Sequence, residues 1–184
     1  MNYIIEDDTL LVTGRFNAVS SGLKGGWKDV DSIFNHTVSK DFDTYSPSEY
    51  LERIARKFSL MRYFGLLTSV PMDKLSIVRK GEVTAFVTAG LRKPNETIGT
   101  INTILVIDAY PSDGAMINGI ITSTEAKTAA LLEAGYRFTG TNTDATVIAR
   151  TGGRYYEYAG PASVLGRRIW SAVKEGVFQS LSLW

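Results

Sequence analysis

A chain of 184 residues with 44% hydrophobic and 21% charged side chains has the size and make-up of one globular domain able to bury its own core. Its 20 basic and 19 acidic residues leave neither a basic excess nor a clustered stripe, which argues against a nucleic-acid partner. The absence of cysteine excludes disulfides, thiolate metal ligands and cysteine nucleophiles, and the lone histidine, His36, falls short of the set that a zinc hydrolase site takes.

No run approaches the roughly 18 apolar residues of a membrane helix, so no membrane partner is expected. The first residues carry Glu6, Asp7 and Asp8 where a signal peptide carries bases; a cytoplasmic protein is expected. No linker, repeat or low-complexity tract divides the chain, and residues 1–184 read as a single domain.

In chain order, Tyr3-Ile4-Ile5 and Leu10-Leu11-Val12 flank Asp7-Asp8 as a hairpin. Ser20 to Trp27 reads as a flexible glycine-rich loop, and Val38 lies near the end of another strand. Ser46-Pro47-Ser48-Glu49 has the form of a helix cap, after which Leu51, Ile54, Ala55 and Phe58 fall on one helical face. Strands Leu75 to Arg79 and Glu82 to Thr88 surround a turn at Lys80-Gly81, with Val83, Ala85 and Val87 sharing one face. A loop at Lys93-Pro94-Asn95 leads to Ile101–Ile107, apolar enough on both faces to be a central strand.

Asp113 to Glu133 is helical by pattern, with Ile117, Ile120, Ile121, Thr124, Thr128 and Leu131 on one side and Gly135 as its stop. The β-branched residues at 120 to 122 leave open one helix or two, broken near Thr122-Ser123. Ala145 to Ala149 is a short buried strand. Val164 to Leu181 is a final amphipathic helix with Leu165, Ile169, Val173 and Val177 inward. The fold class is α/β (or α+β): one layered domain with a mixed β-sheet packed by helices.

Four segments occur in a distinctive order: Val87-Thr88-Ala89-Gly90, Gly99-Thr100-Ile101-Asn102, Thr124-Glu125-Ala126-Lys127 and Gly140-Thr141-Asn142-Thr143-Asp144. Gly25-Gly26, Asn35, Gly65-Leu66-Leu67-Thr68, Gly160 and Leu165-Gly166 add weaker features. With these the chain resembles the adenosylcobinamide amidohydrolase family over nearly its whole length. It departs at Asn142, where glycine is the commoner residue. The resemblance implies hydrolysis of adenosylcobinamide to adenosylcobyric acid and aminopropanol in corrinoid salvage. The partner is then a small-molecule corrinoid substrate, with no cofactor and no metal ligand set expected, a metal requirement being left open. Homo-oligomerisation is left open. Two competing readings are a non-catalytic corrinoid-binding module and a hydrolase of another small amide.

Amide hydrolysis needs an activated water or nucleophile, a donor to the developing oxyanion and an acid for the leaving amine. Glu125, Lys127 and Asp144 are the candidate catalytic residues. In one straight helix, Glu125 and Lys127 point about 200° apart and cannot face one pocket. Asn102, Thr100, Thr88, Thr141, Thr143 and Asn35 are the candidate substrate-binding residues. Asn102, in an otherwise apolar strand, needs partners, from substrate or backbone. Thr100 and Thr141 each follow a glycine, where self-processing would release a threonine nucleophile. His36 is a candidate general base, the only side chain with an ordinary pKa near neutrality.

Overall fold

The computed structural model describes residues 1–39, 42, 46–90 and 99–183; the Lys93-Pro94-Asn95 loop lies outside them. Strands β1 (Asn2–Glu6) and β2 (Thr9–Ser20) form the expected hairpin. Its turn residues Asp7 and Asp8 both have positive φ, 46° and 57°, the backbone that a two-residue hairpin requires and that Asp tolerates. β2 is long enough to pair with β3 (Gly26–Thr37) along most of its length. The segment read as a flexible loop is the turn between them, fixed by Gly22 N–H donating to Ser20 Oγ at 3.1 Å and Gly25 N–H to Gly22 O at 3.0 Å.

Helix α1 (Pro47–Lys57) starts where its cap predicts, Glu49 N–H donating to Ser46 Oγ, and leads into β4 (Tyr63–Thr68), parallel to β3. β5 (Ser76–Lys80) and β6 (Val83–Gly90) turn through Gly81-Glu82, one residue later than the sequence placed it. Gly81 takes φ +59° there. Arg168 of the last helix and the Tyr156 hydroxyl both donate to the Glu82 carboxylate. Burial alone would raise that carboxyl's pKa; the bonds from Tyr156, its own backbone and Arg168 hold it below its ordinary value.

The remaining elements are β7 (Thr100–Ile107), β8 (Tyr110–Pro111), α2 (Asp113–Glu133), β9 (Ala145–Arg150), β10 (Tyr155–Tyr156) and α3 (Val164–Ser182). One mixed sheet runs β4-β3-β2-β9-β7-β6-β5, with β1 added to β2; β8 and β10 form a separate pair. β7 is central and wholly buried, as its sequence implied.

The sheet curls. Leu10 and Val12 of β2 and Phe64 and Leu66 of β4 share one apolar cluster with Phe86 of β6, Ile104 and Val106 of β7 and Val147 of β9. Tyr3 of β1 meets Phe86 edge-on, with ring centroids 5.3 Å apart. The opposite face of β6, β7 and β9 is covered by α2 and α3, with Leu165, Ile169, Val173 and Val177 all fully buried. Each such side chain contributes about 2 kcal/mol of apolar burial. α1 covers the outer face of β3 and β4.

The expected inward face of α2 holds at Leu131 and Ile120 and requires correction elsewhere. The helix is continuous over 21 residues, but Ile117 and Ile121 are 47% and 50% exposed and Thr124 is exposed too. The buried side is mostly small: Ala115, Gly119, Thr122, Ser123, Ala126 and Ala130. A Cβ on Gly119 would lie 2.8 Å from Ile148 Cδ1, so close approach to the sheet selects small residues over the apolar β-branched ones. Thr122 satisfies its hydroxyl on Ala159 O at 2.8 Å.

His36 sits under α1. Thr9 Oγ1 donates its one proton to Asp7 O at 3.0 Å, so His36 Nδ1–H donates to Thr9 Oγ1 at 2.8 Å and Nε2 accepts from Tyr50 at 3.3 Å. Burial first and Lys57 second lower its pKa below 6.5, against a smaller opposing effect of Asp8. The unfolded chain therefore protonates His36 before the folded one does. This contribution to stability is complete above pH 6.5 and is lost as pH falls through the depressed folded value. Thermal denaturation across that range should show Tm falling with acidity, and less steeply in His36→Gln; an equal slope in both proteins would count against the assignment.

Candidate functional site

Strand alternation explains why polar residues meet at one end of the curled interior. Ile104 and Val106 face inward on β7, so Asn102 and Thr100 do too; Phe86 on β6 brings Thr88 inward, and Ile33 on β3 does the same for Asn35. Asn102 Nδ2 donates to Asn35 Oδ1 at 3.0 Å and to Leu67 O at 2.9 Å, and Asn35 Nδ2 donates to Thr88 Oγ1 at 2.9 Å. A backbone carbonyl only accepts, so the Asn102 amide is fixed with its nitrogen toward β4. Its Oδ1 is buried without a hydrogen-bond partner.

A cavity of about 550 Å³ opens over this floor, a volume suited to one small ligand. Its polar lining includes Thr68, Ser69, Thr100, Asn102, Thr143 and Asp144, and its apolar lining includes Leu23, Val38, Phe42 and Leu66. Thr100 and Thr143 hydroxyls lie 3.0 Å apart. Among the described residues, Asp144 is the only acid in the lining, and no base lines it.

The Asp144 carboxylate is fully engaged. Oδ1 accepts from Ile101 N–H at 2.8 Å and Thr141 Oγ1 at 2.6 Å; Oδ2 accepts from Lys127 Nζ at 2.6 Å and Thr141 N–H at 3.0 Å. Four donors fill the four lone-pair positions a carboxylate offers. The ion pair with Lys127 is 13% exposed on each side and ties α2, the 140–144 loop and the start of β7 together. Gly140 is required beside it: a Cβ there would lie 2.4 Å from both Asp144 Oδ2 and Lys127 Nζ.

Of the nine residues singled out by sequence, Asn102, Thr100, Thr143 and Asp144 line the cavity. Asn35, Thr141 and Lys127 stand one hydrogen bond behind them, and Thr88 stands one further, behind Asn35. Glu125 is exposed on α2 and outside the lining; because the helix is unbroken, it points away from Lys127 as the 200° spacing required. His36 is outside the lining as well.

Thr68 and Ser69 were not among the sequence candidates. The signal for Thr68 is the alternation Phe64, Leu66, Thr68 in β4, which that short strand carries into the same interior. Asn142, where the family pattern favours glycine, lines the cavity without a positive φ, so asparagine meets no backbone strain in that turn. Among the described residues no three His, Cys, Asp or Glu side chains converge as a metal-binding group.

Fold and cavity together define an α/β protein with an enzyme-like cleft, polar at its floor and apolar at its sides. A family model described as adenosylcobinamide amidohydrolase matches residues 5–184, and the chain belongs to that family. It is 42% identical to an adenosylcobinamide amidohydrolase of Methanosarcina mazei, over 100% of this chain and 98% of the relative. It is 32% identical to a protein of the same name from Halobacterium salinarum, covering 89% and 79%. An uncharacterised protein of Methanocaldococcus jannaschii is 29% identical, covering 96% and 86%.

Removing one member of the buried pair leaves the other charge without its partner. Asp144→Asn is expected to lower stability by about 3 kcal/mol, a fall in Tm on the order of 10 °C for a chain of this size. Lys127→Met added to it should cost less than the two single changes summed. Calorimetry on the three variants checks this, and strict additivity would show that the pair carries no coupling.

Proposed function

We propose that this cavity hydrolyses the aminopropanol amide of adenosylcobinamide. Water adds to the carbonyl and the C–N bond breaks, giving adenosylcobyric acid and aminopropanol, so that salvaged corrinoid returns to cobamide synthesis. The observation that carries the reading is the match of residues 5–184 to the family, joined by a 42% identical relative across the whole chain. A non-catalytic corrinoid-binding module is not favoured.

The cavity volume fits an amide arm better than a macrocycle, so the arm enters and the corrin ring remains at the mouth. Within it, Asn102 Oδ1 is the acceptor offered to a donor at the floor, whether the scissile N–H or the attacking water. The Thr68 hydroxyl and whichever hydroxyl of the Thr100–Thr143 pair accepts from the other are the donors available to the developing oxyanion. Asp144 and Lys127 act behind them as positioning residues, because the carboxylate's lone pairs are occupied by Ile101, Thr141 and Lys127. Glu125 has no part in this arrangement. The saturated Asp144 carboxylate has no lone pair left for a metal ion. We place the enzyme in the cytoplasm, in keeping with its lack of cysteine.

Purified protein incubated with adenosylcobinamide should release adenosylcobyric acid, with or without a chelator; the absence of product in both conditions would overturn the reading. Asn102→Ala should lower kcat/KM about 10- to 100-fold, the worth of one buried hydrogen bond. Thr100→Val should also slow turnover, whereas Glu125→Gln should stay within about twofold of the parent, as a surface change does. A Glu125→Gln enzyme without activity would return that carboxylate to the mechanism.

A further inference from the structure

A second cavity, of about 260 Å³, adjoins the first: Leu23 and Gly65 line both. Among the described residues its charged lining is cationic, consisting of Lys24, Lys28 and Arg62 with no acid. Two of these cations are already matched. Lys24 pairs with Glu52 of α1, and Arg62 grips both oxygens of Asp31 at 2.6 and 2.9 Å.

Lys28 differs. Among the described residues it has no carboxylate partner. Its Nζ donates to Lys24 O at 2.7 Å and stands 4.9 Å from the centroid of the Phe64 ring. Lys28 is exposed, and these contacts hold its ammonium beside a wall that includes Val30, Leu51 and Phe64, open to a ligand arriving from solvent. A lysine ammonium recognises a phosphate as a point charge. Two of its three protons remain for a ligand.

We propose that this second cavity is an anion subsite for a phosphate ester carried on the hydroxyl of the aminopropanol arm. The inference rests on the hydrolase reading, because it is the arm lying in the larger cavity that aims its free end past Leu23 and Gly65. The hydroxyl is the position on the leaving group that can bear a phosphate. Its dianion would meet Lys28, the cation of this lining that has no carboxylate partner among the described residues. The hydrolysed bond is unchanged: water is consumed, and the amine leaves with its phosphate attached.

The test compares kcat/KM for adenosylcobinamide and for its phosphate ester, using the full chain, Lys28→Gln and Lys28→Arg. The parent should favour the phosphate ester by roughly fivefold, the scale of one partly screened charge contact. That ratio should fall to about one in Lys28→Gln and survive in Lys28→Arg. A parent without preference, or a preference that Lys28→Gln leaves intact, overturns the subsite while the hydrolase reading stands. Failure of the parent to turn over either substrate overturns both.

Discussion

The hydrogen bonds from Asn102 to Asn35 and Leu67, and from Asn35 to Thr88, constrain everything else in this molecule. β3 and β6 are separated in the sheet by β2, β9 and β7. In a flat sheet the two strands would stand about 19 Å apart, yet their side chains bond at 2.9 Å. The contact exists only because the sheet curls until its two halves share one interior. The apolar cluster around Phe86, Ile104 and Val147 supplies the drive for that curl, and the asparagines set where apolar packing stops and the cavity begins.

A buried amide network is costly when any member lacks a partner. Here the nitrogens of both asparagines are engaged and the one unpartnered atom, Asn102 Oδ1, belongs to a residue lining the cavity. That placement is hard to account for by packing alone, since a core position would be served as well by leucine. The Asp144 cluster has the opposite character. Its carboxylate is saturated and ties together three parts of the chain that are distant in sequence, so it serves as a strut beneath the cavity wall. Gly140 belongs to the same device, its missing side chain leaving room for the ion pair. A site without cysteine or a histidine cluster thus divides its work between a fixed amide acceptor, hydroxyl donors and a buried ion pair that holds them.

The turn between β2 and β3 has a further consequence. It places Leu23 between the larger cavity and its cationic neighbour and delivers Lys24 and Lys28 to the latter. One short connection therefore borders both cavities and shapes the route between them.

Much of the secondary structure was legible in the sequence because its signals are local. The Ser46-Pro47 cap, the Asp7-Asp8 turn, the uniform apolarity of Ile101–Ile107 and the spacing of Leu165, Ile169, Val173 and Val177 each act within a few residues, and each element formed where its signal stood. Family and chemistry class were also legible, in the ordered motifs and in the absence of cysteine. What only tertiary structure decided was which faces meet. α2 turned Ile117 and Ile121 outward because close packing against Ile148 and α3 admits small side chains, a choice that depends on a neighbour's shape. The separation of Glu125 from Asp144 and Lys127, the recruitment of Thr68 and Ser69, and the bond between Asn35 and Thr88 all follow from the curl of the sheet. That curl sums contacts between residues 53 or more positions apart, such as Asn35 with Thr88 and Asn102, and no local periodicity encodes such a pairing.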